Sequence, residues 1–329
     1  MLDHLRPPRA DDPTRALYKE WLHVNVFDHA SGTVGLVNLS LHGDPAAAPS
    51  RAVGVALVRV PGAGWSGGTQ VQGAAAAHAG VLELAAGDVA VAVAPWFGAG
   101  HAAARAAVAD ADVSLGGPAV GPPLGPSWDV PFGEGHLGWA AYPRLALDGV
   151  VRAAGRRLVV RGAGGYADHN WGRWAWGDDV GWDWGCFHGA DGLLVVMSRT
   201  TDRAHRVTGD ALVTVEHAGR VAQFVGPQVD IAVDGVRHPS RRFPGAMAAL
   251  HADRARDRLP ARVRVRVGDG FDGLEVVLDV DDVAQLLLAE PSRPGFAVLH
   301  ESVGRFRAVG RLAGRPVEAH GLGVVEHAG

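Results

Sequence analysis

One stretch of the sequence, residues 166–188, brings titratable and aromatic side chains together. It reads YADHNWGRWAWGDDVGWDWGCFH and contains five of the ten tryptophans of the chain. Asp168 and His169 could give or take a proton, and Tyr166 could donate a hydrogen bond beside them. The stretch therefore predicts acid–base chemistry at a site surrounded by indole rings.

The tryptophans of this stretch predict a pocket for a mostly apolar molecule. Indole rings bury a large apolar area, and Asn170 adds a polar group that could hold one end of a ligand. The predicted wall consists of Trp171, Trp174, Trp176, Trp182 and Trp184. A structural interpretation stays open, because Gly165 and Gly172 bracket the motif as turn residues do. The segment would then be a corner at which one domain leads into the next.

The period of a β-strand decides which of these side chains can share a pocket. In residues 182–188, alternation groups Trp182, Trp184, Cys186 and His188 on one face. In residues 21–27, it groups Trp21, His23, Asn25 and Phe27. In a barrel one face of each strand lines the lumen, and Trp, His and Asn there would suit an apolar ligand with one polar group. Neighbours such as Asp168 and His169 reach one pocket only at a bulge or turn.

Short apolar stretches separated by Gly, Pro or Asp fill the rest of the chain and predict an all-β fold. In residues 261–267, valine alternates with arginine, which is the pattern of a half-buried antiparallel strand. Two Ala-rich stretches, residues 74–86 and 102–111, fit a helix by propensity or a strand by context. We expect residues 301–327 to form a meander with turns near Gly310, Gly314 and Gly321.

Composition and charge exclude several classes of protein. The formal net charge of −4 gives no basic footprint for nucleic acid or an anionic membrane. A single cysteine, Cys186, excludes a disulfide within the chain and argues against a cysteine-based zinc site. The first residues lack the apolar core of a signal peptide, and no uncharged apolar run is long enough to span a membrane. We expect a cytoplasmic protein that could approach a membrane peripherally to reach its substrate; the sequence indicates no oligomeric state.

Other known site motifs find little support. Residues 64–68 match the G-x-S-x-G nucleophile motif, but the alternating βα pattern of a hydrolase is missing, so we expect Ser66 not to be a nucleophile. The 16 histidines include no H-E-x-x-H motif, and His169, His188 and His23 have no diagnostic spacing. No P-loop and no G-x-G-x-x-G after a strand occur. The sequence therefore predicts no metal and no cofactor.

The central stretch is part of a longer motif. Residues 165–172 read GYADHNWG, and Trp174 and Trp176 follow at once. This run resembles the Y-x-D-H-N-W-G signature of the carotenoid 1,2-hydratase and AttH-like family.

Weaker motifs extend the resemblance over nearly the whole chain. Glu20 and Trp21 resemble the E-W-W-Y opening of the family, and residues 139–144 (WAAYPR) resemble the stretch that leads into the signature. Residues 321–326 (GLGVVE) resemble its G-x-G-Y-x-E end. The hydratase branch would have a Tyr-x-Asp pair in the strand after the signature, whereas residues 193–199 read LLVVMSR. This departure weakens the hydratase assignment and not the fold.

The resemblance implies two tandem lipocalin-like β domains, each a barrel or sandwich, at residues 1–176 and 177–329. It implies a hydrophobic small-molecule substrate, an isoprenoid or polyene, and chemistry without a redox cofactor. One branch of the family adds water to terminal alkenes of acyclic carotenoids, and related lipocalin-like proteins are similar to natural-product cyclases, including Diels–Alder catalysts. The chain would then be a lyase of the hydratase type or an isomerase or cyclase. A non-catalytic carrier of hydrophobic ligands is the alternative.

The chemistry suggests a role for each candidate residue. Asp168 would be the acid of a hydration and His169 the donor of a cyclisation, with Tyr166 in support. Tryptophan faces would stabilise a carbocation by about 0.5–2 kcal/mol each. Further substrate contacts are expected from Glu20, Trp21, His23 and His188.

Overall fold

The computed structural model is built almost entirely from β-strands. It describes residues 4–47, 50–73, 76–77, 82–93, 100–243, 259–290 and 294–329, with the side chains of 76–77 and 126–129 left aside. Within these ranges there is no α-helix, and two short 3-10 turns lie at Arg15–Leu17 and Gly226–Gln228. The predicted all-β fold is confirmed.

The chain divides into two compact units, each with its own sheet. The first comprises Met1–Asp178 and Ala289–Phe296, and the second comprises Asp179–Leu288 and Ala297–Gly329. The domain boundary after residue 176 stays a prediction. The first sheet follows the order β4-β3-β2-β1-β12-β11-β9-β8-β7-β6-β5, with β10 paired to β11, and its described pairs are antiparallel. Its strands are β1 (Tyr18–Asp28), β2 (Thr33–His42), β3 (Arg51–Val60), β4 (Gly64–Gln72), β5 (Ala76–Ala77), β6 (Leu82–Ala86), β7 (Val89–Val93), β8 (His101–Val108), β9 (Ala111–Pro118), β10 (Leu124–Phe132), β11 (Gly135–Ala153) and β12 (Arg156–Arg173).

The second sheet follows the order β16-β15-β14-β13-β22-β21-β20-β19-β17, and a short strand, β18, pairs with β20 in parallel. Its strands are β13 (Gly181–Gly189), β14 (Leu194–Thr201), β15 (Leu212–His217), β16 (Arg220–Val225), β17 (Val229–Asp234), β18 (Arg241–Phe243), β19 (Arg262–Gly268), β20 (Gly273–Ala289), β21 (Phe296–Leu312) and β22 (Arg315–Ala328). In both units consecutive strands are mostly neighbours, as in a meander that curls into a barrel.

The first sheet curls so that β1–β3 face β7–β9 across a hydrophobic core. In β1, Leu22, Val24 and Val26 belong to this core, whereas His23 and Asn25 are absent from it. The face of β1 that lines the barrel is therefore the apolar one, and the face with tryptophan and histidine points the other way. This orientation buries apolar side chains of neighbouring strands against each other. Leu22 lies opposite Leu39 of β2, and both are fully buried.

The second core follows the alternation that the sequence predicts. In β19, Val263, Val265 and Val267 are buried in the core. The arginines between them face outward, where Arg262 pairs with Asp279 of β20 at 2.6 Å. The half-buried antiparallel strand predicted at residues 261–267 is confirmed.

The structure decides one open alternative and corrects one expectation. The Ala-rich residues 102–108 form β8, and 82–86 form β6, while residues 74–75 and 78–81 lie outside the described part. The C-terminal meander is one hairpin, so the turns predicted near Gly310 and Gly321 are wrong. A Cβ at Gly321 would lie 2.1 Å from the carbonyl oxygen of His188 in β13. This glycine permits a close approach of two strands and does not make a turn.

The G-x-S-x-G run lies in antiparallel strand β4. Ser66 is 1% exposed, and its Oγ accepts a hydrogen bond from the N–H of Ala154 at 2.8 Å. This setting differs from the strand–turn–helix that presents a nucleophilic serine. In the described part of the chain, no helix has the length and apolar character needed to cross a membrane.

Candidate functional site

The Y-x-D-H-N-W-G motif forms the end of β12, where this strand pairs with β1 on one side and β11 on the other. His23 of β1 lies opposite Asp168, and Leu22 lies opposite His169. The strand is regular here, so Asp168 and His169 point to opposite faces. We call the face that carries His169 the inner face, because its neighbours belong to the core, and the face that carries Asp168 the outer face.

On the outer face, two donors hold Asp168. The hydroxyl of Tyr166 donates to Oδ2 at 2.8 Å, and Nδ2 of Asn170 donates to Oδ1 at 2.7 Å. The indole N–H of Trp139, on β11, donates in turn to the Tyr166 hydroxyl at 3.1 Å. Both carboxylate oxygens of Asp168 are thus engaged, and the group acts as a fixed hydrogen-bond acceptor.

Two polar residues of β1 extend this outer face. Nε2 of His23 lies 2.8 Å from Oδ1 of Asn25, and its ring centre lies 6.5 Å from that of Tyr166. His23 is buried, and Asn25 has no exposed surface at all. The predicted residues Tyr166, Asp168, Asn170 and His23 are therefore brought together on one buried polar face.

On the inner face, Glu20 collects hydrogen bonds from three residues. The backbone N–H of Arg6 donates to both carboxylate oxygens, at 3.0 and 2.8 Å. The Tyr18 hydroxyl donates to Oε2, and Nε2 of His169 lies 2.6 Å from Oε1. Glu20 is fully buried, and the Glu20–His169 pair is therefore removed from bulk water.

The other ring nitrogen of His169 is not engaged. Nδ1 is buried and has no hydrogen-bond partner among the described residues. Because Nε2 faces the Glu20 carboxylate, a neutral His169 carries its proton on Nε2 and leaves Nδ1 as an acceptor. A protonated His169 would instead present an Nδ1–H donor to whatever lies beside it.

Trp171 packs against His169 on the inner face. Their ring centres are 4.8 Å apart, and the guanidinium of Arg6 lies 4.3 Å from the centre of the Trp171 ring. The indole lies over Gly138 of β11, where an added Cβ would come within 2.2 Å of the ring. Only a glycine at position 138 leaves room for this indole position.

Trp174 is the centre of a separate aromatic group. It contacts Trp21, Phe132 and Trp176 edge-to-face, with ring centres 5.6, 5.2 and 5.7 Å apart. Of the predicted wall, Trp174 and Trp176 come together beside Trp21, whereas Trp171 stays on the inner face.

A buried ion pair fixes the backbone beside this aromatic group. Nζ of Lys19, which has no exposed side-chain surface, lies 3.0 Å from Oε2 of Glu290 and donates to the carbonyl of Trp174 at 3.0 Å. Burial lowers the pKa of Lys19, and the negative charge of Glu290 opposes that shift. The same carboxylate accepts the backbone N–H of Trp176 at 2.9 Å. Lys19 and Glu290 therefore hold both tryptophans in place.

The remaining predicted residues belong to the second unit. Trp182, Trp184 and His188 share one face of β13, as the strand period predicts, and the indole N–H of Trp182 donates to Glu326. Next to Glu326 lies Glu301 of β21, which is 2% exposed. Burial, and then the adjacent Glu326, raise the pKa of Glu301 well above its usual value.

Sequence reasoning missed Arg6, Trp139 and Glu301. Arg6 contributes through its backbone N–H, which leaves no signal in the residue type. Trp139 lies in a weak motif whose partner, Tyr166, is known only once β11 and β12 are paired. Glu301 and Glu326 could have been found, because a hairpin turn placed at Gly314 alone aligns them across the strands.

Solved structures share this fold. An AttH-type protein from Nitrosomonas europaea is 15% identical, with a TM-score of 0.68 over 98% of this chain and 99% of that one. Kievitone hydratase from Nectria haematococca is 12% identical, with a TM-score of 0.64 over 99% and 96% of the two chains. CghA, solved with Sch210972, is 14% identical, with a TM-score of 0.63 over 99% and 94%. The chain has two tandem lipocalin-like barrel domains. No family model and no curated protein matches the sequence.

Proposed function

We propose that this chain is an enzyme that acts on a hydrophobic isoprenoid or polyene, without a redox cofactor, by proton-assisted hydration or cyclisation. In this proposal His169 is the proton donor and Glu20 positions it. One observation carries the proposal: a buried imidazole is bound to a carboxylate through Nε2, while its Nδ1 has no hydrogen-bond partner among the described residues.

The proton transfer can be written for both reactions. In a hydration, protonated His169 gives its Nδ1 proton to one alkene carbon, water adds to the carbocation at the other, and the proton released by that water returns to Nδ1. In a cyclisation, a second double bond attacks the carbocation, and a proton lost from carbon returns to Nδ1. The Glu20 carboxylate compensates the positive charge of the imidazolium and fixes its orientation.

The surroundings of His169 suit an apolar substrate. Leu22, Ala140 and Ala167 lie beside it on the inner face, and each is buried in the first core. Trp171 supplies an electron-rich ring, although the Arg6 guanidinium already uses one face of it.

Asp168 has a different role in this proposal. Its two oxygens are engaged by Tyr166 and Asn170, and its side chain points away from His169. We assign to Asp168 the positioning of β12, which in turn fixes the backbone of His169. That Asp168 is itself the acid of a hydration stays a prediction of the sequence.

Related structures support a reaction of this kind. Kievitone hydratase, which shares the fold over nearly the whole chain, is named for a hydration. CghA, with the same fold, was solved with Sch210972. Two tandem barrels of this type are therefore compatible with hydration.

The experiment uses an acyclic carotenoid with terminal alkenes, presented in detergent to the full chain. The wild type is expected to give a product heavier by one water, or a product of equal mass with fewer double bonds. His169→Gln should lower the rate about 10²–10⁴-fold, the usual loss for a general acid. His101→Gln, at an exposed histidine of β8, should leave the rate unchanged.

Two results would overturn the proposal. The carotenoid could quench tryptophan fluorescence and yet be recovered unchanged, which would identify a carrier of hydrophobic ligands. Alternatively, His169→Gln could keep both its melting temperature and its full rate, which would place the proton donor elsewhere.

A further inference from the structure

Three side chains from distant parts of the second unit converge at one end of its barrel. Asp183 lies on β13, His327 on β22, and His205 in the connection between β14 and β15. Oδ1 of Asp183 is 2.6 Å from Nδ1 of His327 and 3.0 Å from Nδ1 of His205. We call these three residues the Asp183 cluster.

The cluster is buried and its atoms are close enough to share an ion. The side chain of Asp183 is 3% exposed, that of His205 8% and that of His327 5%. One ligand atom of each lies within 4.8 Å of the others. Asp183 lies on the same face of β13 as Phe187, and His327 on the same face of β22 as Val325; Phe187 and Val325 belong to the second core. Water has little access here, so it competes only weakly with the ligand atoms of these three side chains.

Arg199 orients the carboxylate of the cluster. Its Nε and Nη2 lie 2.8 and 2.7 Å from Oδ2 of Asp183, which leaves Oδ1 turned to the two imidazoles. Metal-binding carboxylates and histidines are commonly fixed by such outer contacts. The positive charge of Arg199 also neutralises Asp183, so an ion here would be held by two imidazoles and a compensated carboxylate.

We propose that Asp183, His205 and His327 bind one divalent transition-metal ion through Oδ1 and the two Nδ1 atoms. Two nitrogens and one oxygen form a donor set of borderline softness, which suits Zn²⁺, Co²⁺ or Ni²⁺ more than Mg²⁺ or Ca²⁺. Three protein ligands leave a fourth position for water. Asp183 and His327 are 144 positions apart in the chain, so the ion would join segments that are distant in sequence. The site lies in the second unit and does not rest on the function proposed above.

The test is a titration of the metal-free full chain with Co²⁺, followed by visible absorption, and with Zn²⁺, followed by the melting temperature. The wild type is expected to show Co²⁺ absorption bands that saturate at one equivalent and a rise in melting temperature with Zn²⁺. His205→Gln and His327→Gln should each abolish both signals.

A surface pair in the same unit provides the matched control. Nε2 of His217 lies 3.8 Å from Oδ2 of Asp191, with side chains 25% and 39% exposed. His217→Gln should leave the Co²⁺ spectrum and the Zn²⁺ shift intact. If His327→Gln fails to fold, His205→Gln decides the matter alone, because His205 lies in a connection outside the strands.

Two outcomes would overturn the proposal. Signals that persist in His205→Gln would show that other histidines bind the ions. A wild type that gives no saturable signal with either ion would show that the cluster is only a network of hydrogen bonds between Asp183, its two histidines and Arg199.

Discussion

Asp168 and His169 are neighbours in the chain, yet their side chains serve separate networks. Asp168 binds Tyr166 and Asn170 on the outer face, and His169 binds Glu20 on the inner face. A substrate atom at one face is beyond the reach of the other side chain. Substitutions at the two positions should therefore have different effects, on the stability of β12 for Asp168 and on chemistry for His169.

Glu301 gives a prediction for the dependence of stability on pH. Its pKa is raised in the folded state by burial and then by Glu326, so the folded protein favours the protonated form. This contribution to stability is complete below the usual pKa of 4.5 and is lost as the pH rises through the folded-state pKa. Glu301→Gln, which stays neutral, should gain stability relative to the wild type as the pH rises above 4.5.

Urea unfolding between the acid and neutral range measures this difference. Glu318→Gln, at an exposed position of the same hairpin, is the control and should follow the wild type at every pH. An unchanging difference between Glu301→Gln and the wild type across the range would show that folding does not shift the pKa of Glu301.

The sequence could predict the candidate residues but not all of their partners. The period of a strand correctly separates Asp168 from His169 and groups Trp182, Trp184 and His188. It gives no sign that the backbone N–H of Arg6 binds Glu20, because the presence of this group does not depend on the side chain at position 6. It also hides the Asp183 cluster, because contacts between residues 144 positions apart depend on how the strands pair.

At the scale of elements, the pairing of β11 with β12 controls the position of Trp171. A Cβ at Gly138 would lie 2.2 Å from the indole, so Gly138→Ala must displace the ring or spread the strands. We expect a loss of about 1–3 kcal/mol in the free energy of unfolding, the usual cost of overpacking, and a shift of tryptophan emission.

Gly73→Ala is the matched control for this substitution, since a Cβ there would meet nothing within 4 Å. Denaturant unfolding and emission spectra of both variants make the comparison. Equal stability of the two variants would mean that the Trp171 indole moves aside without cost.

Strands were easier to predict than the turns between them. Alternation located β19 and β1, because valine or leucine recurs at every second position along part of each strand. Glycine misled the prediction at Gly310 and Gly321, since its small size serves close strand contact there and its conformational freedom is not used. The Ala-rich residues 102–108 lie in a strand, β8, because β7 and β9 pair with it on its two sides. This pairing outweighs the helix propensity of alanine.

At the scale of the whole molecule, the number and type of domains followed from the family resemblance, and the all-β class followed from residue patterns. Solved structures at 12–15% identity share the fold over nearly the entire chain. At this distance the fold persists because many apolar positions can be exchanged when their alternation is kept. Particular side chains such as Glu20 and His169 carry the proposed reaction, and they need their own test.

The most direct test is to run the reaction of the acyclic carotenoid in D₂O and locate deuterium in the product by mass spectrometry. Proton transfer from His169 to carbon predicts one carbon-bound deuterium per product molecule, which remains after exchange in ordinary water. His169→Gln should form this labelled product about 10²–10⁴-fold more slowly, with an unchanged melting temperature. A product without carbon-bound deuterium, or the same labelling rate in the variant, would contradict a proton donated by His169.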